Sequence, residues 1–462
     1  MADAISRNAL ADLWRVLGQD ASALERVQLD GVDPVFPSSF HVGAAAQVPL
    51  AAAALAASEL GVLRGQAPAT VAVDMLHAAH ECSAWFSLDG KTPEIWDAFS
   101  GLYRCRDGWV RLHANFKHHR GVALHVLGLD PASATRADAE SALQPWLAQD
   151  FEDAVAHAGG VAARFRSLAE WEAHPQGQAV AAQPLMSLHK LDGAAALALP
   201  ALGADGLPLR GLRVLDLTRI LAGPACGRLL ARLGAEVMLV NSPHLPNIAS
   251  IADTSRGKLS CHVDLTTAQG RTTLTQLVQQ AHVLVRGYRP GGLDALGFSA
   301  QELVRMRPGL VVVSLSAYGT QGPWAARRGF DSLVQTASGF NHAEMVAKGS
   351  SKPEALPMQI LDFATGHLMA CAAVGAVAQQ QVQGGSWEVQ ASLAQTGHWL
   401  RSLGRVENGF RVAVPPRDAF VSTWPSGFGV LAGVRSAIRL NGQGEPTLRP
   451  AMPPGTHLPR WP

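Results

Sequence analysis

Residues 360–381 read ILDFATGHLMACAAVGAVAQQQ, and nothing else in the chain limits the fold as much. One carboxylate, Asp362, stands at the mouth of this run, and no other acid follows until Glu388. A helix apolar on every face has to be wrapped by protein on all sides. The lone acid then has two readings. As a helix N-cap it accepts a bond from a first-turn N–H, worth about 1 kcal/mol. As a nucleophile it is desolvated on one side and positioned by the same helix end. The residues alone leave both open. A second apolar run, 42–64, is mostly Ala and is broken by Gln47, Pro49 and Glu59. Ala is only weakly apolar, so the run reads as a helix of a soluble protein and not as a membrane span.

From residue 211 the pattern becomes periodic. LRVLDLT, EVMLVN, LSCHVDL, AHVLVRG and LVVVSLSAYG read as buried strands separated by helices, and WEVQASL follows the long apolar run. That alternation implies α/β with an open, Rossmann-like parallel sheet. Upstream, LYRCRDGWVRLHANF alternates about a DG turn and reads as a hairpin, with short amphipathic helices behind it. The expected organisation is a helical segment 1–95, a small α+β domain 96–195, a linker 196–210, the Rossmann-like domain 211–410 and an extended tail 411–462. Ser39–Met75 weakly echoes Asp362–Ala391: a polar residue four before a Gly, an Ala-rich helix, a Gly turn, a strand. Ser39 stands at the place of Asp362, so the first copy reads as degenerate.

Bulk properties exclude several classes. A formal net charge of +1 offers no basic patch for nucleic acid. The five cysteines are far apart, without a CxxC pair, and read as reduced thiols of a cytoplasmic enzyme. His113, His118 and His119 lack metal-ligand spacing and read as exposed; no metal is expected. The turn after LRVLDLT is not G-x-G-x-x-G, and Asn241 stands where a nicotinamide-binding fold carries an acid. Ligand contact and plain strand–helix packing both remain open for that turn.

The blocks LRGLRVLDLTRILAGPACGRLLARLGAEV, HVDLTTAQGR, AHVLVRGYRPGGLDALGFSAQELVRMRPGLVVVSLSAYGTQGP, GFDSLVQTASG and DFATGHLMA, in that order, closely resemble the class III CoA-transferases. The resemblance covers about 211–405. Residues 99–195 resemble the family's small domain, here placed before the catalytic half, and the tail resembles its closing strand, so the family fold is expected in permuted or fused order. The resemblance implies a CoA-transferase acting on an acyl-CoA and a small carboxylic acid, with Asp362 as nucleophile forming covalent aspartyl intermediates. It implies a homodimer, no permanently bound cofactor and a coenzyme A thioester as substrate. Membrane and nucleic-acid partners are not expected. Arg219, Ile220, Leu221, Lys258, Tyr288 and Arg328 fall on the family's CoA-contacting positions.

Three positions depart from the family pattern: Gly287, Ala295 and Asn241. Compensating cations from Arg64, Arg104, Lys117 or Arg120, and an apolar acyl pocket from Met358, Phe363, Phe340 and Trp324, are further expectations. Two rivals stand beside the transferase. A racemase or isomerase needs a base on each side of the substrate carbon, and Phe330 occupies the place of the family's histidine. A non-catalytic partner subunit fits the Ser39 copy but not Asp362.

Overall fold

The computed structural model describes residues 4–203 and 206–462; two residues of the expected linker, 204 and 205, lie outside the described residues. In chain order the strands are β1 (Val27–Asp30), β2 (Val71–Asp74), β3 (Phe86–Leu88), β4 (Gly101–Cys105), β5 (Gly108–Leu112), β6 (Ala162–Arg164) and β7 (Met186–Lys190). They continue as β8 (Arg213–Leu217), β9 (Glu236–Asn241), β10 (Lys258–His262), β11 (Val283–Arg286), β12 (Val311–Ser316) and β13 (Trp387–Ser392). The last three are β14 (Val421–Ser426), β15 (Gly429–Val434) and β16 (Ile438–Leu440). The helices that matter here are α1 (Val42–Leu63), α2 (Met75–Glu81), α3 (Lys117–Val126), α4 (Ala222–Arg232), α5 (Asp331–Ala337), α6 (Ile360–Gln383) and α7 (Leu393–Ser402).

The six strand-like runs from residue 211 form one sheet in the order β10-β9-β8-β11-β12-β13, all parallel, closed at one edge by antiparallel β7. Parallel strands need both faces covered, which accounts for runs such as Val311–Val313 that are apolar at successive positions. Chain order reverses between β8 and β11. The loops leaving these two strands diverge to opposite sides and open a crevice beyond their carboxyl ends, where such sheets bind ligands.

Helix α6 forms the spine. Nearly every residue from Ile360 to Ala378 is buried, including Leu361, Phe363, Leu368 and Met369 at 0% exposure. Burying a side chain of that size contributes about 1.5–3 kcal/mol. Helices α1, α4 and α7 and strand β13 pack on it. Both α1 and α6 are long and apolar enough to cross a membrane, yet the relevant windows are 83% and 100% buried inside the protein. Small residues let backbones approach. A side chain on Gly366 would overlap the carbonyl oxygen of Ala222 and press on Ala225 Cβ at 3.0 Å.

A second sheet, β1-β2-β16, repeats part of the main one. Strand β1 runs parallel to β2 as β12 does to β13, and β16 runs antiparallel to β2 as β7 does to β13. Each middle strand follows a long helix and precedes a short one: α1-β2-α2 and α6-β13-α7. The two polar residues do not occupy equivalent places, however. Ser39 precedes the first residue of α1, Val42, whereas Asp362 lies inside the first turn of α6.

Gly→Ala inside a helix ordinarily stabilises by up to about 1 kcal/mol. At Gly366 the overlap with α4 reverses the sign: Gly366→Ala is expected to cost about 1–3 kcal/mol in chemical denaturation.

Candidate active site

A cavity of about 580 Å³ lies in the crevice between β8 and β11. Its floor is the loop after β8, Arg219–Ala222. One side is formed by the ends of β9 and β10, the other by Gly287–Pro290 after β11. Helix α3, from the region upstream of the main sheet, covers it with Phe116, His118 and His119. Asp362 opens into it from the first turn of α6.

The floor is held in place from beneath. Asp216 of β8 is fully buried, accepts from Thr218 Oγ1 and receives the Lys258 ammonium at 2.7 Å. Lys258 also donates to the Pro224 carbonyl at 2.8 Å, tying β8, β10 and α4 together. Above this pair Ile220 adopts φ +79°, a left-handed conformation that a β-branched residue rarely takes. Such strain collects where a backbone must meet a ligand.

Asp362 is not the cap of its helix. The N-cap is Gln359, without a side-chain bond, and Asp362 is a first-turn residue. Its own N–H donates to Asp331 Oδ2 at 3.0 Å, so the carboxylate at the start of α5 satisfies the end of α6. The other Asp331 oxygen accepts from Gln335 Nε2 at 2.5 Å. Gln335 in turn accepts the Leu356 N–H at 3.0 Å, fixing the segment that leads into α6. Asp362 is only 7% exposed, and among the described residues no donor engages its carboxylate. Burial, and then the neighbouring Asp331, push its pKa well above the carboxylate range. Burial likewise lifts Asp331 to about 6, against the lowering effect of the bonds it accepts. Two carboxyls this close titrate as a pair.

The rim is cationic. Arg219, Arg289 and Arg328 line the cavity, and none has a carboxylate within ion-pair distance among the described residues. Arg219 donates to the Pro246 carbonyl and lies 5.2 Å over the Phe116 ring; Arg328 donates to the Gly159 carbonyl. Burial lowers the pKa of both. Leu221 completes the floor, and Tyr288 stands on the β11 side, its phenol pushed up by burial.

Arg219, Ile220, Leu221, Tyr288, Arg328 and Asp362 are thus brought together as expected, and Lys258 is not. Its ammonium is 0% exposed and consumed by Asp216 beneath the floor, so it does not face the cavity. The expected acyl pocket does not form either: Met358, Phe363, Phe340 and Trp324 are buried core residues outside the cavity lining. Arg64, Arg104, Lys117 and Arg120 are also absent from it; Arg64 instead clamps the carbonyls of Pro200, Pro208 and Arg210. The histidines expected to be exposed divide. His118 is exposed, while His113 and His119 are 4% and 5% exposed. His113 stacks on Phe330 at 3.9 Å. Burial pushes both of these down to about 3, so they are neutral.

Asp331, Gln335 and Arg289 were missed at the level of sequence. The i, i+4 Asp–Gln pair in GFDSLVQ is a legible helical signal, but nothing local says that it points at residue 362.

The folded pKa of Asp331 lies above the ordinary 3.8, so the folded chain keeps a proton that the unfolded chain has released. That contribution to stability is full below the unfolded value and is lost as pH rises through about 6. Asp331→Asn removes it. The melting temperature of the wild type is expected to fall relative to Asp331→Asn between about pH 4 and pH 7 in a thermal melt.

Comparison with known proteins gives the chain's family. The family model for CoA-transferase family III matches residues 209–416. An acyl-CoA transferase of Gibberella moniliformis is 30% identical over 418 residues, covering 81% of this chain and 73% of that protein. A probable fatty acyl-CoA transferase of Mycobacterium tuberculosis is 35% identical over 200 residues, and the chain spans about half of its length, 50%. A crystal structure of that mycobacterial protein aligns with a TM-score of 0.40 at 35% identity, over 43% of this chain and 56% of that one. A formyl-CoA:oxalate CoA-transferase of Rhodopseudomonas palustris is 31% identical over 43% of this chain and 48% of its own. The chain belongs to CoA-transferase family III.

Proposed function

We propose that this chain moves CoA between an acyl-CoA donor and a carboxylic acid acceptor, with Asp362 as the covalent nucleophile. The observation that carries the reading is a carboxylate buried in a cavity wall that, among the described residues, engages no hydrogen-bond donor and shares the cavity with three guanidiniums that have no acid partner. A structural carboxylate at that depth is normally paired.

The steps balance as follows. A carboxylate oxygen of Asp362 attacks the thioester carbonyl; the C–S bond breaks and CoA leaves as thiolate, giving a mixed aspartyl–acyl anhydride. The thiolate attacks the aspartyl carbonyl, releases the donor's carboxylate and leaves an aspartyl–CoA thioester. The acceptor carboxylate attacks that thioester and expels the thiolate. The thiolate then takes the acceptor's acyl carbon and frees Asp362. Splitting the exchange this way replaces one difficult displacement by four easier ones. A raised pKa makes Asp362 a stronger nucleophile once ionised, and Asp331 helps to set it. The burial of Asp362 in the cavity wall limits the access of water to the anhydride. The unpaired arginines suit the phosphates of CoA.

Racemisation fits less well. Phe330 holds no proton, and the imidazoles around it, His113 and His119, are weak bases near 3.

Intact-protein mass after brief exposure to a panel of acyl-CoAs tests the proposal. The wild type is expected to gain an acyl or CoA mass that maps to residue 362. Asp362→Asn should gain none, with turnover reduced at least about a thousandfold. A wild type that forms no adduct and binds no CoA by calorimetry would instead favour the non-catalytic subunit.

A further inference from the structure

Three rings meet on one stretch of the cavity wall: Phe116, the N-cap residue of α3; His119, in the first turn of that helix; and Phe330, the N-cap residue of α5. Their centroids form a nearly equilateral triangle. Phe116 stands 5.7 Å from His119, His119 stands 5.9 Å from Phe330, and Phe330 stands 6.1 Å from Phe116. Phenylalanine is a poor N-cap, because it offers the first-turn N–H groups no acceptor. Both helices that face the cavity here make that choice, and neither has a side-chain cap bond. The rings suit the wall better than they suit the helices they start.

The patch is pinned and carries no charge of its own. His113 stacks on Phe330 at 3.9 Å with the planes 8° apart, and Arg219 lies 5.2 Å over Phe116. Burial pushes His119 down to about 3, so its imidazole is neutral. Phe330 is half-buried and lines the cavity. It immediately precedes Asp331, whose carboxylate receives the Asp362 N–H at 3.0 Å, so the patch stands beside the reacting group. Leu221, Leu315 and Leu393 line the same cavity.

These surroundings discriminate between classes of acyl group. A second carboxylate would meet phenyl rings and neutral imidazole on this wall, without a charge to pair it. A long aliphatic chain has no branch to enter. The lining reaches none of the core residues Met358, Phe340, Phe363 and Trp324, and the whole cavity holds about 580 Å³. A flat ring fits. It adds edge and face contacts to rings already set at such distances, each worth about two- to tenfold beyond the area it buries. It also has few rotatable bonds to freeze.

We infer that the acyl group this chain transfers is aromatic, that of a short arylalkanoic acid, and that Phe116 and Phe330 are the residues that select it. The inference rests on the CoA-transferase reading.

The test compares phenylacetyl-CoA with cyclohexylacetyl-CoA, a donor of the same outline without the π-system. The quantity read is the second-order rate of covalent adduct formation on the full chain by intact mass, which needs no acceptor. The wild type is expected to favour phenylacetyl-CoA at least about tenfold. In Phe116→Leu the ratio should fall to about threefold or less, and Phe116→Tyr, which keeps the ring, should retain it. A wild-type ratio near one would overturn the inference and leave the transferase reading standing. Faster reaction with succinyl-CoA or octanoyl-CoA than with phenylacetyl-CoA would do the same. A ratio unchanged in Phe116→Leu would overturn the role of Phe116. A wild type that forms no adduct with any donor and binds no CoA would overturn the functional reading and this inference with it.

Discussion

The hydrogen bond from the Asp362 N–H to the Asp331 carboxylate is the contact on which the site depends. A helix buried over its whole length cannot leave its first-turn N–H groups to water. In α6 the N-cap side chain does not take them, and a carboxylate from another helix takes one. That arrangement frees the Asp362 side chain from capping. It also sets a second negative charge beside Asp362, which, after burial, is the other cause of its raised pKa. The same bond thus settles a structural requirement of α6 and tunes the group that α6 carries into the cavity.

The charges of the site follow a division between paired and unpaired. Beneath the floor, Lys258 and Asp216 neutralise each other at 2.7 Å, with the ammonium also held by a carbonyl. A buried pair satisfied this fully gains little net stability but punishes the loss of either partner. Its effect is geometric, because it holds the start of α4 and hence the loop that carries Ile220. A side chain on Gly227 would collide with this pair, so the glycine lets α4 cross directly above it. At the rim the three guanidiniums have no carboxylate within ion-pair distance among the described residues and keep their capacity for an anionic ligand.

The sheet was legible in the sequence because buried parallel strands write themselves as apolar runs. The floor residues Arg219, Ile220 and Leu221 were legible because they follow such a run. Lys258 was misplaced for a reason periodicity cannot reach. Whether a strand-end lysine meets a ligand or an acid 42 residues earlier is decided by packing between strands. The histidines misled in the same way. HANFKHHRG is polar in sequence, but the fold sets it beside Phe330, which stacks on His113 and meets His119 edge-on. Asp331 was invisible as a partner of Asp362 because the two lie on different helices, 31 residues apart.

The two long helices supply an internal comparison. At the mouth of α1, Asp33 accepts the N–H groups of Gly43 and Ala44 at 3.0 and 2.9 Å, as Asp331 serves α6. What differs is the space in front. Ser39 is bonded to Glu344 through both its backbone N–H and its hydroxyl, and Arg405 donates to the same hydroxyl at 2.6 Å. Phe40 packs edge-on against Phe340 and fills the remaining room. Every polar atom of Ser39 is therefore spent on the interior, whereas the Asp362 carboxylate has no donor among the described residues. A borrowed carboxylate at a helix end, common to both mouths, cannot by itself mark a site. The distinguishing feature is the unspent side chain next to open volume, and on that criterion only the mouth of α6 has the means to do chemistry.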